Sequence, residues 1–331
     1  MIVKSVKLAN FRCYEKRFLE CQETVTQILG ENGCGKTTIL EAIYLGLRGR
    51  SWRSNDEELV RRGTDSYRVE IEFFNGEKNV VFYDGRGREF LVKDKKWRRL
   101  PVKAKYPVVL FLPDDLNMIS GSPNRRREYF DRFFGQLNEK YNSSLSRYNK
   151  VLKQRKELLK KENLTEGEMF SWNILLAKYG VEVMRVWEKY CQEIQARLNG
   201  VYRSIADNED EILMEYVTVE GRDESSYLRR LEGDFRKDVV TGHTNFGIHK
   251  DDYQFWFNGG EAEGTASRGE VRSIILALKF IEAEMVFGIL GKKPVVLLDD
   301  VFSELDTTRQ RCLVENFREN QVVISSVGGI G

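Results

Sequence analysis

The sequence predicts an α/β fold whose first domain is closed by both ends of the chain and interrupted by an inserted helical arm. Three observations predict it. A strand, a glycine-rich loop and a helix follow one another from Thr24 to Leu45. An apolar strand running into two aspartates lies near the other end, at Val295 to Asp300. Between them the apolar spacing changes from the period of strands to that of helices.

Ile2 to Leu8 alternates as a half-buried strand, Thr24 to Leu29 forms a second, and Gly30 to Thr38 turns into a helix carrying Glu41, Ala42, Ile43 and Leu45. Val69 to Phe74 and Asn79 to Tyr83 read as a hairpin around Asn75-Gly76, followed by a strand ending in Val108 to Leu112. From Arg125, the series Phe130, Phe133, Phe134, Leu137, Tyr141, Leu145, Tyr148 and Leu152 predicts one amphipathic helix. A polar link at Lys160 to Gly167 leads to a second series, Trp172, Leu176, Tyr179, Val183, Val186, Tyr190, Ile194 and Leu198, which packs back antiparallel. A helix of about 35 residues reaches roughly 50 Å, far short of a long coiled-coil tether. Strands resume at Tyr253 to Phe257, Val295 to Leu298 and Gln321 to Ser325. The expected domains are therefore 1–118 with 240–331, and an arm over 119–239.

The 331 residues are 41% hydrophobic, enough for one large core or two modest ones. No stretch approaches the roughly 18 apolar residues of a membrane span, and the N-terminus lacks the core of a signal peptide, so a cytoplasmic location is expected. Cys13, Cys21, Cys34, Cys191 and Cys312 form no CxxC pair, and reduced thiols are expected. Net charge is +2 although 31% of residues are charged, so nucleic-acid affinity would have to come from local patches.

Gly30-Glu31-Asn32-Gly33-Cys34-Gly35-Lys36-Thr37, followed by Thr38, fits GxxxxGK[ST] between strand and helix. Glycines let successive N–H groups face phosphate oxygens, and the helix presents its positive end to the same anions. Lys36 is then placed for the β and γ phosphates of ATP and the Thr37 hydroxyl for magnesium. In the apolar strand that ends at Asp299-Asp300, the first carboxylate is a ligand for Mg2+ and the second polarises the attacking water. Ser267-Arg268-Gly269-Glu270 opens a helix, where a serine hydroxyl and a glycine N–H make an anion site without its own lysine.

This combination resembles the ABC-type ATPases related to the Rad50 and SMC heads, and among them the RecF recombination-mediator family. The residues that carry the resemblance are Asn10 to Tyr14, the phosphate loop, Phe111 to Leu116 before Arg125 to Arg127, Gly247 to Asp252, Ser267 to Glu270, and Leu298 to Asp306. It implies an ABC-type ATPase head with an inserted α-helical arm. It also implies that Ser267 and Gly269 form the signature that caps the γ phosphate held by a partner subunit, with Asp306 in the loop crossing between protomers. ATP would join two copies into a homodimer that clamps duplex or gapped DNA, with slow hydrolysis as the reset. Implied partners are RecR, RecO and the recombinase RecA, in recombinational repair, replication and the SOS response. The competing classes are a structural or break-repair head and a transporter ATPase. The short arm without a zinc hook argues against the first, and the arm together with Asn10 to Tyr14 argues against the second.

Three departures from the family pattern stand out. Glu270 replaces the usual glutamine, setting a negative charge near a phosphate site. Ser325-Ser326 ends its strand without the switch histidine of many ABC ATPases. The chain stops at Val327 to Gly331, short of the family's expected ending, so a truncated or partly omitted C-terminus is expected. Several residues keep two readings. Arg12 approaches the phosphates or sits on the surface. His249 fixes a turn or takes part in chemistry. Asp114 and Asp115 cap a helix or sense magnesium. The basic clusters Arg61-Arg62, Lys93 to Arg99, Arg125 to Arg127 and Lys153 to Lys161 neutralise DNA or are solvated faces.

Overall fold

The computed structural model describes residues 2–218 and 222–327; the last four residues, on which the expectation about the C-terminal ending falls, lie outside the described part. In chain order the elements are β1 (Val3–Phe11), β2 (Tyr14–Glu20), β3 (Val25–Leu29), α1 (Lys36–Arg48), α2 (Asp56–Leu59), β4 (Tyr67–Phe73), β5 (Lys78–Tyr83), β6 (Arg88–Val92), β7 (Lys95–Trp97) and β8 (Val108–Phe111). There follow α3 (Pro123–Leu137), α4 (Glu139–Leu158), α5 (Glu166–Ala206), β9 (Ile212–Val217), α6 (Glu224–Gly233), α7 (Phe235–Thr241), β10 (Asp252–Phe257), β11 (Gly260–Glu261), α8 (Ala262–Thr265) and α9 (Arg268–Leu290). The chain ends with β12 (Val295–Asp299), α10 (Thr307–Asn316) and β13 (Val322–Ser326).

These elements divide into two units, Met1–Leu116 with Glu282–Gly331, and Asn117–Ile281, the division falling within α9. The first unit holds two sheets. An antiparallel sheet runs β2-β1-β4-β5-β6-β7, and a parallel one runs β3-β13-β12-β8. β8, β12 and β13 are buried at every position, the continuous apolar pattern of parallel strands covered on both faces. α1 is buried from Thr38 to Leu47 and packs on both sheets, as an apolar helix without a polar face must. Gly46 makes that approach possible: a Cβ there would stand 2.3 Å from Ile71 Cγ1. Gln321 ties the chain's two ends together, its amide pairing both backbone groups of Val3 at 2.7 and 2.6 Å.

The second unit pairs α4 with the 41-residue α5 and adds a three-stranded sheet, β11-β10-β9. Its core is aromatic, with Phe130 and Tyr253 ring centres 4.1 Å apart and Trp187, Tyr141 and Tyr148 buried beside them. These rings are packing. Arg155 is fully buried where α4, α5 and α7 meet, bonded to Asn173, Asp238 and Thr244 at 2.9, 2.7 and 2.6 Å.

Several expectations are corrected. The helix expected from Arg125 to Leu152 is two helices, broken at Asn138, whose backbone is extended and whose side chain caps α4 by accepting from Tyr141 N at 3.1 Å. Residues 240–281, assigned to the first domain, belong to the second unit, because β10 pairs with β9. Strands β2, β6, β7 and β9 were not anticipated. Two of the basic clusters are partly internal. Arg126 pairs both its Nε and Nη2 with Asp252 at 2.8 and 2.7 Å, and Arg155 is the buried residue just described.

Candidate nucleotide site

The phosphate loop lies between β3 and α1, where the sequence puts it. Two of its glycines have positive φ, +81° at Gly33 and +98° at Gly35. Gly35 is doubly constrained. A Cβ would be 2.7 Å from Cys13 Sγ and 2.8 Å from the Tyr14 hydroxyl, so the turn after β1 presses on the loop and no side chain fits there. The Tyr14 hydroxyl donates to Cys34 O at 3.1 Å, and Gly30 N donates to Ser326 O at 3.3 Å, so both ends of the loop are anchored. Glu31, Asn32, Gly33 and Cys34 are exposed, whereas Lys36 and Thr38 are buried.

Lys36 Nζ donates to Gly30 O at 2.8 Å and Glu31 O at 3.2 Å, and lies 3.7 Å from Asp300 Oδ1. The Thr37 hydroxyl contacts both oxygens of Asp299, at 2.8 and 2.9 Å, across 262 residues of sequence. Burial pushes the Asp299 carboxyl above the usual carboxylate range, against the hydrogen bonds it accepts from Thr37 and Ser325. Asp300 adopts φ +51°, a left-handed conformation that aspartate tolerates better than most residues and that follows the abrupt end of β12.

Ser325, fully buried at the end of β13, donates to Asp299 Oδ1 at 2.8 Å and accepts from Asp300 N at 3.0 Å. It therefore holds both acids, at the strand end where the switch histidine is missing. Sequence reasoning noted the absent histidine and missed this role. The signal was there: in a parallel sheet the residue level with Asp299 on β13 is Ser325.

Arg12 is neither free on the surface nor wholly committed to phosphate. Its Nε and Nη2 donate to Glu41 at 2.6 and 3.0 Å, Nη2 also reaches Ser54, and Nη1 makes no hydrogen bond among the described residues. Glu41 is 0% exposed and is shared with Arg53 at 2.9 Å and Ser51 at 2.6 Å. Burial pushes its carboxyl up, but these hydrogen bonds outweigh the burial and hold it below its ordinary value. A lone carboxylate in the buried helix after the lysine was the sequence signal, and it was passed over.

Ser267 and Glu270 form a capping box on α9. Ser267 N donates to Glu270 Oε2 at 2.6 Å, and Glu270 N donates to Ser267 Oγ at 3.3 Å. Glu270 thus has a local partner. Gly269 lies in the first turn, where N–H groups have no partner within the helix. Asp306 is the exposed N-cap of α10, accepting from Arg309 N at 3.0 Å. Asp115 is buried and accepts from Leu112 N at 3.0 Å, closing the end of β8. His249 bridges Tyr148 and Thr244 at 2.8 and 2.9 Å, and burial lowers its pKa to about 4. This is the turn-fixing reading.

A model of the AAA ATPase domain matches residues 1–179. DNA replication and repair protein RecF of Clostridium perfringens is 31% identical over 99% of this chain and 93% of its own length, and that of Clostridium novyi is 33% identical over the same shares. The chain belongs to the RecF family. Solved structures of the recombination mediator RecF in the RecFOR pathway, as RecF-ATPrS and as RecF-ATP, superpose with TM-scores of 0.89 and 0.87. They are 29% and 28% identical, over 99% of this chain and 92% of theirs. The chain is thus an ABC-type ATPase head of the RecF kind, acting in DNA replication and repair. Among the described residues no helix is long and apolar enough to cross a membrane.

Proposed function

We propose that this chain is an ATP-gated DNA clamp that promotes loading of a recombinase at gapped DNA. The observation that carries the reading is the convergence of Thr37 and Lys36 with Asp299 and Asp300 at the mouth of the phosphate loop. Hydroxyl and carboxylate oxygens side by side are the ligand types that Mg2+ takes, so Thr37 and Asp299 would hold it. Bound there, the metal supplies charge neutralisation at the β and γ phosphates. Lys36 binds those phosphates, the loop's backbone from Gly30 to Thr38 cradles them, and Arg12, oriented by Glu41, offers its Nη1 edge to the same anions. Asp300 is placed by Ser325 to orient and polarise a water.

The nucleotide would be completed by Ser267 and Gly269 of a second copy, whose helix end favours anions, with Asp306 in the crossing loop. A homodimer closed in this way would bring basic surfaces together around DNA and present them to RecR, RecO and RecA in the cytoplasm. The family membership and the two RecF structures support this reading.

The test is sedimentation with and without Mg-ATP. Wild type shifts from monomer to dimer on adding nucleotide, and Ser267→Arg binds ATP yet remains monomeric. Dimerisation of that variant equal to wild type refutes the signature in trans. A filter assay showing equal duplex affinity with and without ATP, at fixed salt, refutes ATP gating.

A further inference from the structure

A cavity of about 400 Å³ opens on the antiparallel sheet, away from the phosphate loop, between strands β5 to β7 and the turn Val102–Ala104. Its inner wall is apolar, built from Val92, Trp97, Pro101 and Val102. Trp97 and Val102 stay 44% and 58% exposed, a large apolar surface to leave against water. The wall is also fixed. The buried Asn79 amide donates to Gly46 O at 3.2 Å and to Ala104 O at 3.4 Å, pinning the turn to the end of α1. A cavity held in this way is formed before anything enters it, which reduces the ordering cost of binding.

Four lysines ring the opening: Lys78, Lys93, Lys95 and Lys103. Two are already neutralised. Lys93 pairs with Glu77 at 2.6 Å, and Lys78 pairs with Glu70 and Glu72 at 3.4 and 3.5 Å. Lys95 and Lys103 have no ion pair among the described residues, and both are exposed.

We infer that this cavity docks a short acidic peptide segment of a partner protein, with one or two large apolar side chains seated inside and carboxylates meeting Lys95 and Lys103. Charge complementarity selects this occupant over nucleic acid. A phosphate backbone is read by a run of unpaired cations along a groove, typically one per phosphate. Here the centre is a concave apolar hole, its rim carries the Glu77 carboxylate, and only two of the four cations are unpaired. About 400 Å³ matches one or two aromatic or leucine side chains, the usual anchors of a peptide interface. This inference does not depend on the nucleotide reading.

The probe is a fluorescein-labelled synthetic peptide of consecutive aspartates ending in Leu-Phe, titrated by fluorescence anisotropy. A version with asparagine for aspartate and a labelled DNA single strand are run beside it. Wild type is expected to bind the acidic peptide with micromolar affinity that weakens as salt rises, and the asparagine version at least tenfold more weakly. Lys95→Glu with Lys103→Glu, and separately Val102→Glu, should each lose at least tenfold in peptide affinity while keeping the wild-type melting temperature and ATP affinity. The substituted side chains are exposed, so the fold tolerates them. Absence of peptide binding at millimolar concentration overturns the inference. So does binding that all variants share, or displacement of the peptide by the single strand with the same dependence on Val102.

Discussion

Replacing Arg12 by alanine tests how the phosphate loop is supported. The Glu41 carboxylate is 0% exposed, and two of its close contacts come from the Arg12 guanidinium, at 2.6 and 3.0 Å. Removing one partner from a buried ion pair costs about 3–5 kcal/mol, because the remaining charge is left without compensation. Arg53 at 2.9 Å and Ser51 at 2.6 Å stay in place and reduce the loss, so about 2–3 kcal/mol is expected. For a unit of this size that corresponds to a melting temperature lower by roughly 4–12 °C. Arg12→Lys should recover only part of it, since an ammonium cannot make the two-pronged contact.

The pH dependence fixes the cause. Glu41 is held below its ordinary pKa in the fold, so its contribution is present in full above the unfolded value of about 4.3 and is lost as pH falls through the folded value. The gap between wild type and Arg12→Ala should therefore be constant near neutrality and close under acid conditions. Urea melts at a series of pH values measure it. An unchanged melting temperature at pH 7 combined with lost ATP affinity would refute the argument, since Arg12 would then act on the nucleotide alone.

Other substitutions separate the roles within the site. Lys36→Ala should lower ATP affinity at least a hundredfold, by equilibrium binding of a fluorescent ATP analogue, because the buried ammonium is the cation nearest the loop's carbonyls. Asp300→Asn should keep ATP binding and dimerisation within about threefold and lower turnover by a hundredfold or more, read from phosphate release; retained turnover removes it as the water-orienting residue. His249, whose pKa falls from the ordinary 6.5 to about 4, is neutral in the fold, so its contribution is complete above pH 6.5 and erodes as pH falls toward 4. The full effect is about 3 kcal/mol, and His249→Gln should flatten the urea midpoint over that window.

The parts legible in sequence were those written in local chemistry. The phosphate loop carries its own spacing, and the strand before Asp299 its own apolar run, so both were placed without knowledge of anything distant. β7 was not, because it lies inside the charged run Lys93 to Arg99, which reads as a solvated face. β9 was hidden for the opposite reason. Ile212-Leu213-Met214 is continuously apolar, and the alternation appears only in burial, with Ile212 and Met214 inside and Leu213 40% exposed. The break at Asn138 was invisible because the helical period continues on both sides of it, and what ends α3 is a single extended residue that starts α4 again.

Glu270 shows the same limit at the level of chemistry. Set against a family pattern, it looked like a charge imposed on a phosphate site. Three residues earlier stands Ser267, and the pair satisfies the S-x-x-E spacing of a capping box, whose geometry is realised here in both directions. A carboxylate in that position helps the first turn of α9 through the helix dipole, by about 0.3–1 kcal/mol. If a second copy's triphosphate is capped at this helix end, as proposed, the same carboxylate would repel it. The two effects have opposite signs, so Glu270→Gln should lower thermal stability slightly while raising the fraction of dimer at subsaturating Mg-ATP. If that substitution lowers both together, the cap is what dimerisation requires, and the carboxylate belongs to the signature rather than opposing it.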